Sequence, residues 1–309
     1  MKQTSFIFIL LLLLGVKGYS QDCDIQLMAI NAGDDKTPSA ANEYLFNRLC
    51  TAVNGEGIAA TGRYAQFFIA AKALPIYEQV VPGAPAKTAL TLSLSLYIGD
   101  YFGEKVFDRI SIEIKGVGES RERAFLNAYR ALNGNNKQIA DFLQRGKERI
   151  MNYYNTEYGN IIKEAKRAAQ LRDYPRALFL LSSVPVCCKG YEQVSGELVK
   201  SYKEYINYSC DKLLMEARNA WAASPDRDGA ELVGEILNQL EPDAACYDEA
   251  MSLYKEVKAK VKDDWNFEMR QKYTDAVSIR KQVIEAARAV GVAYGNGQQP
   301  KTTNIMWLR

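Results

Sequence analysis

The stretch Leu90-Thr91-Leu92-Ser93-Leu94-Ser95-Leu96-Tyr97-Ile98 alternates an aliphatic side chain with a hydroxylated one over nine residues. Successive side chains of an extended strand point to opposite faces, so this period of two predicts a strand with one greasy and one polar face. Ile110, Ile112 and Ile114 repeat the pattern within Val106–Lys115, after a short connection at 100–104. Upstream, Arg63–Val81 carries strand chemistry in Phe67, Ile69, Tyr77, Val80 and Val81, and Pro82-Gly83-Ala84-Pro85 reads as the turn that follows it. Ile25, Leu27 and Ala29 alternate over a shorter run. Tyr44, Leu45, Leu49 and Ala52 recur at helical spacing before Gly55 and Gly57. A helix followed by three strands that share one buried face predicts a small antiparallel sheet backed by helices.

Gly116-Val117-Gly118-Glu119-Ser120 stands between the last strand and a helix. A phosphate-cradling loop needs a third glycine where Arg121 stands, so a plain strand-to-helix turn with Ser120 as N-cap is the better reading. From Glu119 onward the chain reads as helical. Periodicity weakens near 152–155, which places a domain boundary there. The expected plan is an α+β domain over 21–152, a helical domain with long helices over 153–294 and a polar tail over 295–309.

The helical half contains an internal repeat. Ile161, Ala165, Ala168 and Ala169 line a first helix, and Ala177, Leu178, Leu181 and Val184 line its mate, which Pro185 ends. Leu213, Leu214, Ala217, Ala220 and Trp221 line a later helix. Ser224-Pro225 reads as N-cap and first turn of its mate, with Ala230, Val233, Leu237 and Leu240 buried and Pro242 at the end. A separate helix bearing Tyr191, Val194, Leu198, Tyr202 and Tyr205 lies between the units. A longer pattern from Tyr247 through Trp265 and Met269 to Ala287 follows them.

Ala165-Lys166-Arg167-Ala168 through Asp173-Tyr174-Pro175-Arg176-Ala177-Leu178 to Pro185 resembles a tetratricopeptide-type unit. Glu216-Ala217 through Ala230 to Leu240-Glu241-Pro242 resembles a looser second copy. The sequence departs from that family in lacking the small turn glycine and in having two units with an irregular spacer. The resemblance implies a helical scaffold that presents a groove and carries no catalytic residues. More weakly, the order of strands, Gly116-x-Gly118 and an alanine-bearing helix over 22–150 is similar in plan to amino-terminal domains of bacterial envelope-assembly proteins. The curli secretion lipoprotein and the penicillin-binding-protein activator lipoproteins are examples.

The start of the chain reads as an export signal. Lys2 precedes an apolar run from Phe6 to Val16 that only Gly15 interrupts, and Gly18-Tyr19-Ser20 places small residues two positions apart. Eleven helical residues cover roughly 16 Å, too little for a hydrocarbon core of about 30 Å. Cleavage is expected after Ser20. A lipid anchor on Cys23 is the rival reading, but Asp22 stands where a lipobox needs Gly or Ala. Residues 1–20 hold two lysines and no acid, so their removal takes the formal charge from +2 to zero. Balanced charge argues against nucleic acid or anionic lipid as the main partner.

The 309 residues include no histidine. That removes histidine-activated nucleophiles, histidine-bearing zinc sites and haem ligation by histidine. Paired carboxylates are the remaining catalytic option. Asp34-Asp35 and Asp263-Asp264 are adjacent in sequence and point apart, which is unlike the facing acids of a glycosidase. Asp226-Arg227-Asp228-Gly229 opens like a calcium loop, but Leu237 stands at its twelfth position, where a bidentate acid belongs. No cofactor or metal site is expected. The six cysteines of an exported chain predict disulfides. Helix-end positions predict a Cys188–Cys246 staple between units, with Cys187–Cys246 as the alternative, and Cys23–Cys50 would tie the first strand to the first helix. Six unpaired, buried thiols are the competing reading. Tyr202, Tyr205, Trp221, Trp265 and Trp307 are the candidate partner-binding residues. The expectation is an exported, non-enzymatic interaction scaffold of the bacterial envelope, periplasmic or at the surface. It would bind another envelope protein and have no transmembrane anchor. A carboxylate-based hydrolase of wall glycans is the alternative, and a binding module for a small exported ligand comes third.

Overall fold

The computed structural model describes residues 25–31, 37–55, 66–130, 132, 136–271 and 276–298. The expected export signal, Cys23, Asp34-Asp35 and Trp307 lie outside them. The fold is α+β, with a four-stranded sheet leading into long helices.

Strands β1 (Leu27–Ile30), β2 (Phe67–Val81), β3 (Lys87–Asp100) and β4 (Lys105–Gly118) lie side by side in chain order. β2, β3 and β4 pair antiparallel as expected, but β1 pairs parallel to β2, with Leu27 opposite Phe67, so the sheet is mixed. The reason is α1 (Ser39–Gly55). A helix between two neighbouring strands carries the chain back to its starting end, which makes the second strand parallel. α1 buries Ala41, Leu45, Leu49 and Val53, one residue per turn.

The alternation in β3 sets the core. Leu90, Leu92, Leu94, Leu96 and Ile98 are all at most 2 % exposed. Across the ladders they meet Ile69, Ala71 and Ala73 of β2 and Ile110, Ile112 and Ile114 of β4, so one face of the sheet is a continuous apolar surface. α2 (Arg121–Tyr129) and the first half of α3 (Lys137–Gln170) cover it. Ser120 caps α2, its hydroxyl accepting from Arg123 N at 3.2 Å. The two glycines before it have a packing role. A Cβ on Gly116 would lie 2.0 Å from the Ala124 carbonyl oxygen, and one on Gly118 2.5 Å from Ala124 N. They end β4 and let the backbone of α2 rest directly on the strand.

α3 is 34 residues long and runs unbroken through 152–155, where the sequence pattern weakens. Ile139, Phe142, Leu143 and Ile150 pack on the sheet, while Ala165 and Ala168 pack in the helical half. One apolar core extends through both halves. Two buried acids fasten α3 to the sheet. Asp108 of β4 pairs with Arg145 at 3.2 Å and Arg149 at 3.1 Å, one helical turn apart. Asp100, at the end of β3, accepts four hydrogen bonds. Phe102 N and Gly103 N donate to Oδ1, and Gln66 Nε2 and the Tyr154 hydroxyl donate to Oδ2, each at 2.9 Å. Burial, then the nearby Asp100 charge, push the Tyr154 phenol far above its ordinary value.

The helices continue as α4 (Tyr174–Ser182), α5 (Tyr191–Ala223), α6 (Arg227–Leu237), α7 (Tyr247–Val261) and α8 (Ala276–Gln298). Three readings are corrected here. The spacer helix and the first helix of the second unit are one helix, α5, because no Pro interrupts Tyr191–Ala223 and its one glycine, Gly196, is accommodated within the helix. The N-cap of α6 is Asp226, accepting from Gly229 N at 3.1 Å, so Ser224-Pro225 lies outside the helix. The last long pattern breaks after α7, where Lys262 takes a left-handed backbone with φ 54° and a short 3₁₀ turn, Lys262–Asp264, follows.

The far end of β2 is open. Leu74, Ile76, Tyr77, Val80 and Val81 are all more than two-fifths exposed. β1 pairs only with 67–70, and among the described residues no strand lies along the outer edge of 71–81. Ile76 forms a bulge between Pro75 and Tyr77.

Two outcomes are expected. Gly116→Ala should lower stability by about 1–3 kcal/mol in chemical denaturation, the cost of forcing a helix off its strand. Tyr154→Phe should lower stability by about 1.5–3 kcal/mol at neutral pH, because a hydrogen bond to a buried charged group is lost. Since the folded pKa of Tyr154 is raised, its contribution is fully present below the ordinary tyrosine value of 10.0 and is lost as pH climbs above it. The stability gap between wild type and Tyr154→Phe, measured by urea unfolding across pH, should therefore shrink as pH rises past that value.

Candidate interaction groove

The second half of α3 with α4, and α5 with α6, form two units of the same plan: a long helix, a short helix and a tight connection into the next long helix. Their connections are built alike. Asn155 on α3 accepts from Lys189 N at 2.8 Å, and Asn207 on α5 accepts from Ala245 N at 2.8 Å. Asp173 caps α4 as Asp226 caps α6. One turn along from those asparagines the units differ. In the first, the Tyr158 ring lies over Gly190, so close that a Cβ there would fall 2.2 Å from it. In the second, the equivalent positions are Cys210 and Cys246, and they form a disulfide with Cα atoms 6.0 Å apart.

The disulfide corrects the expected pairing. Cys246 bonds to Cys210, so neither Cys188–Cys246 nor Cys187–Cys246 forms. Each connection packs against the middle of the long helix in its own unit. Cys188 is a buried free thiol whose Sγ donates to the Tyr154 carbonyl at 3.3 Å, and Cys187 is disulfide-bonded. Cys50 is a half-buried free thiol, which sets aside a Cys23–Cys50 tie, and burial pushes its pKa up. Cys210 is the residue that sequence reasoning missed. Aligning the two asparagines would have placed it opposite Cys246.

The disulfide lines a groove of about 470 Å³ between α5, the connection into α7, and α8. Tyr202, Ile206, Leu213, Leu240 and Val290 give it an apolar floor, and Tyr205, Lys212, Glu216 and Glu241 line its sides. A narrower cleft continues it past Lys203, Asp243 and Gln282. Arg270 braces the Glu241 side, donating to the Leu240 carbonyl and standing 3.6 Å from the Glu241 carboxylate.

Tyrosines cluster at the groove and beside it. Tyr205 lies 6.3 Å from Tyr202 and 6.2 Å from Tyr174, and Tyr174 lies 5.6 Å from Tyr208, centroid to centroid. Two cations sit at the Tyr208 ring, Lys212 at 4.4 Å and Arg172 at 5.4 Å from its centroid. The hydrogen bond from Lys212 holds the Tyr208 phenol below its ordinary value. Arg172 ends α3 in a left-handed conformation, φ 61°, with Asp173 N bonded back to the Ala168 carbonyl at 2.9 Å. Glycine is the usual residue there, and arginine costs about 1 kcal/mol by comparison.

The other candidate residues divide. Tyr202 and Tyr205 stand at the groove. Trp221 and Trp265 are core residues, 7 % and 5 % exposed. Trp221 donates to Glu256 at 3.2 Å, and Trp265 packs on Tyr254 and Phe267. Asp263-Asp264 lies on the 3₁₀ turn. A second cleft, about 390 Å³, opens where the halves meet and is lined by Gln66, Ser182, Ser183 and Arg288, among others.

No family model, curated protein or solved structure matches the chain. No helix among the described residues is long and apolar enough to cross a membrane, and the Cys210–Cys246 bond is consistent with an oxidising compartment.

The disulfide closes a 36-residue separation, which the chain-entropy relation converts to about 4 kcal/mol at most. Cys246→Ala should lower stability by about 2–4 kcal/mol in guanidinium unfolding, and reductant should lower the stability of wild type by more than that of Cys246→Ala. Cys188→Ala should leave the response to reductant intact.

Proposed function

We propose that the chain is an exported, non-enzymatic interaction scaffold of the bacterial cell envelope, periplasmic or at the surface. Its helical half would hold a segment of another envelope protein in the tyrosine-lined groove. The observation that carries this reading is the groove itself: an open trough with Tyr202 and Tyr205 in its lining, built on a helical unit that the Cys210–Cys246 disulfide staples. Tyrosine offers a large apolar face and a hydroxyl at low entropic cost, which is why it is enriched at protein interfaces. The long–short helical plan supports the resemblance to tetratricopeptide-type scaffolds. The amino-terminal apolar segment and the disulfide support export.

The wall-glycan hydrolase finds less support. Both acids buried in the described core, Asp100 and Asp108, are occupied: one accepts four hydrogen bonds and the other pairs with two arginines. Neither is poised for proton transfer to a ligand.

A photo-crosslinking amino acid placed at Tyr205 of the full chain, expressed with its signal, should trap one discrete envelope protein. The same group at Gln144, exposed on the sheet half of α3, should not. Release of sugars from peptidoglycan by the purified protein, with no crosslink at Tyr205, would replace the scaffold with the hydrolase.

A further inference from the structure

We propose that the surface beside the groove, where Arg172 and Lys212 meet the Tyr208 ring, docks the acidic side chains of an amphipathic partner segment. This rests on the scaffold reading and names the chemistry of what the scaffold holds. Arg172 and Lys212 meet at one tyrosine ring, within cation–π range. Among the described residues neither pairs with a carboxylate, and the nearest acid in sequence to Arg172, Asp173, is turned to the start of α4. Arg176 and Arg218, also exposed on the helical half, pair with Glu164 and Glu249. The cations also stand beside uncovered apolar surface. Leu171 is 75 % exposed and Met215 is 61 % exposed, one next to Arg172 in the chain and the other nearly one turn past Lys212 on α5.

Arg172 adds an independent sign. The turn it occupies favours glycine, yet a large cation is held there in a left-handed conformation. Backbone strain of this kind accompanies residues that serve a contact elsewhere. The site asks for carboxylates to meet the two cations and aliphatic side chains to cover Leu171 and Met215. The groove lining carries Glu216, Glu241 and Asp243, so the acidic face of the segment is drawn to Arg172 and Lys212 and turned away from those carboxylates.

The left-handed turn makes a clean test available, because Arg172→Gly removes the cation while relaxing the backbone. Two fluorescein-labelled helical peptides of equal length would share the same leucine positions, one with glutamate and one with lysine at every polar position. The intact, oxidised chain should bind the glutamate peptide at least about tenfold more tightly by fluorescence anisotropy, and added salt should reduce the preference. Arg172→Gly and Lys212→Gln should each weaken glutamate-peptide binding several-fold, with Arg172→Gly unfolding no earlier than wild type on heating. Equal affinity for both peptides would overturn the proposal, and so would a preference that survives both substitutions. If neither peptide binds while Tyr205 still crosslinks a partner, the acidic chemistry is wrong and the scaffold stands. Loss of that crosslink as well would sink the scaffold.

Discussion

The hydrogen bond from Tyr154 to Asp100 joins the middle of the longest helix to the end of the central strand. Buried polar groups are tolerated when every lone pair and proton has a partner, and costly when one does not. Asp100 meets that condition only if β3, the turn after it, Gln66 and α3 all take their places together. The arrangement sets where α3 crosses the sheet, and the Asp108 pair with Arg145 and Arg149 fixes its rotation. Because α3 continues without a break into the first helical unit, the position of the groove follows from a contact made on the sheet.

The two helical units solve the same packing problem in different ways. Each must bring a tight connection down onto the middle of a long helix, and each uses an asparagine on that helix to accept from a backbone N–H. One then closes the contact with an aromatic ring over a glycine, the other with a covalent bond. The bond lies in the unit that lines the groove, where Cys210 and Cys246 are both buried.

Local periodicity carries most of the architecture. The alternation of Leu90–Ile98 specifies a strand and its buried face, and the residues named for α4 and α6 are largely those buried in the structure. What escapes depends on contacts distant in sequence. The parallel β1–β2 pair is invisible to an alternation pattern, which reports faces and not direction. Asp100 reads as a turn residue until Tyr154 and Gln66 are placed beside it. Trp221 and Trp265 look like interface anchors by residue type, yet both are buried in the fold. The groove is legible through Tyr202 and Tyr205, whereas the cluster of Arg172, Tyr208 and Lys212 beside it comes from a turn and a helix that only folding brings together. Cys210 escapes notice because its neighbours are polar, although it lies on the inward face of α5.

The interrupted edge of β2 has a consequence for the molecule in a crowded compartment. Strands with an open apolar border can recruit copies of themselves one after another, and that growth needs a long uninterrupted row of backbone donors and acceptors. Pro75 removes a donor, and the bulge at Ile76 shifts the register in the middle of the exposed stretch. Only short runs of matched backbone remain on either side. A neighbouring chain can touch this border but cannot zip along it. The protein can therefore keep an oily sheet margin without that margin becoming a seed for fibrils.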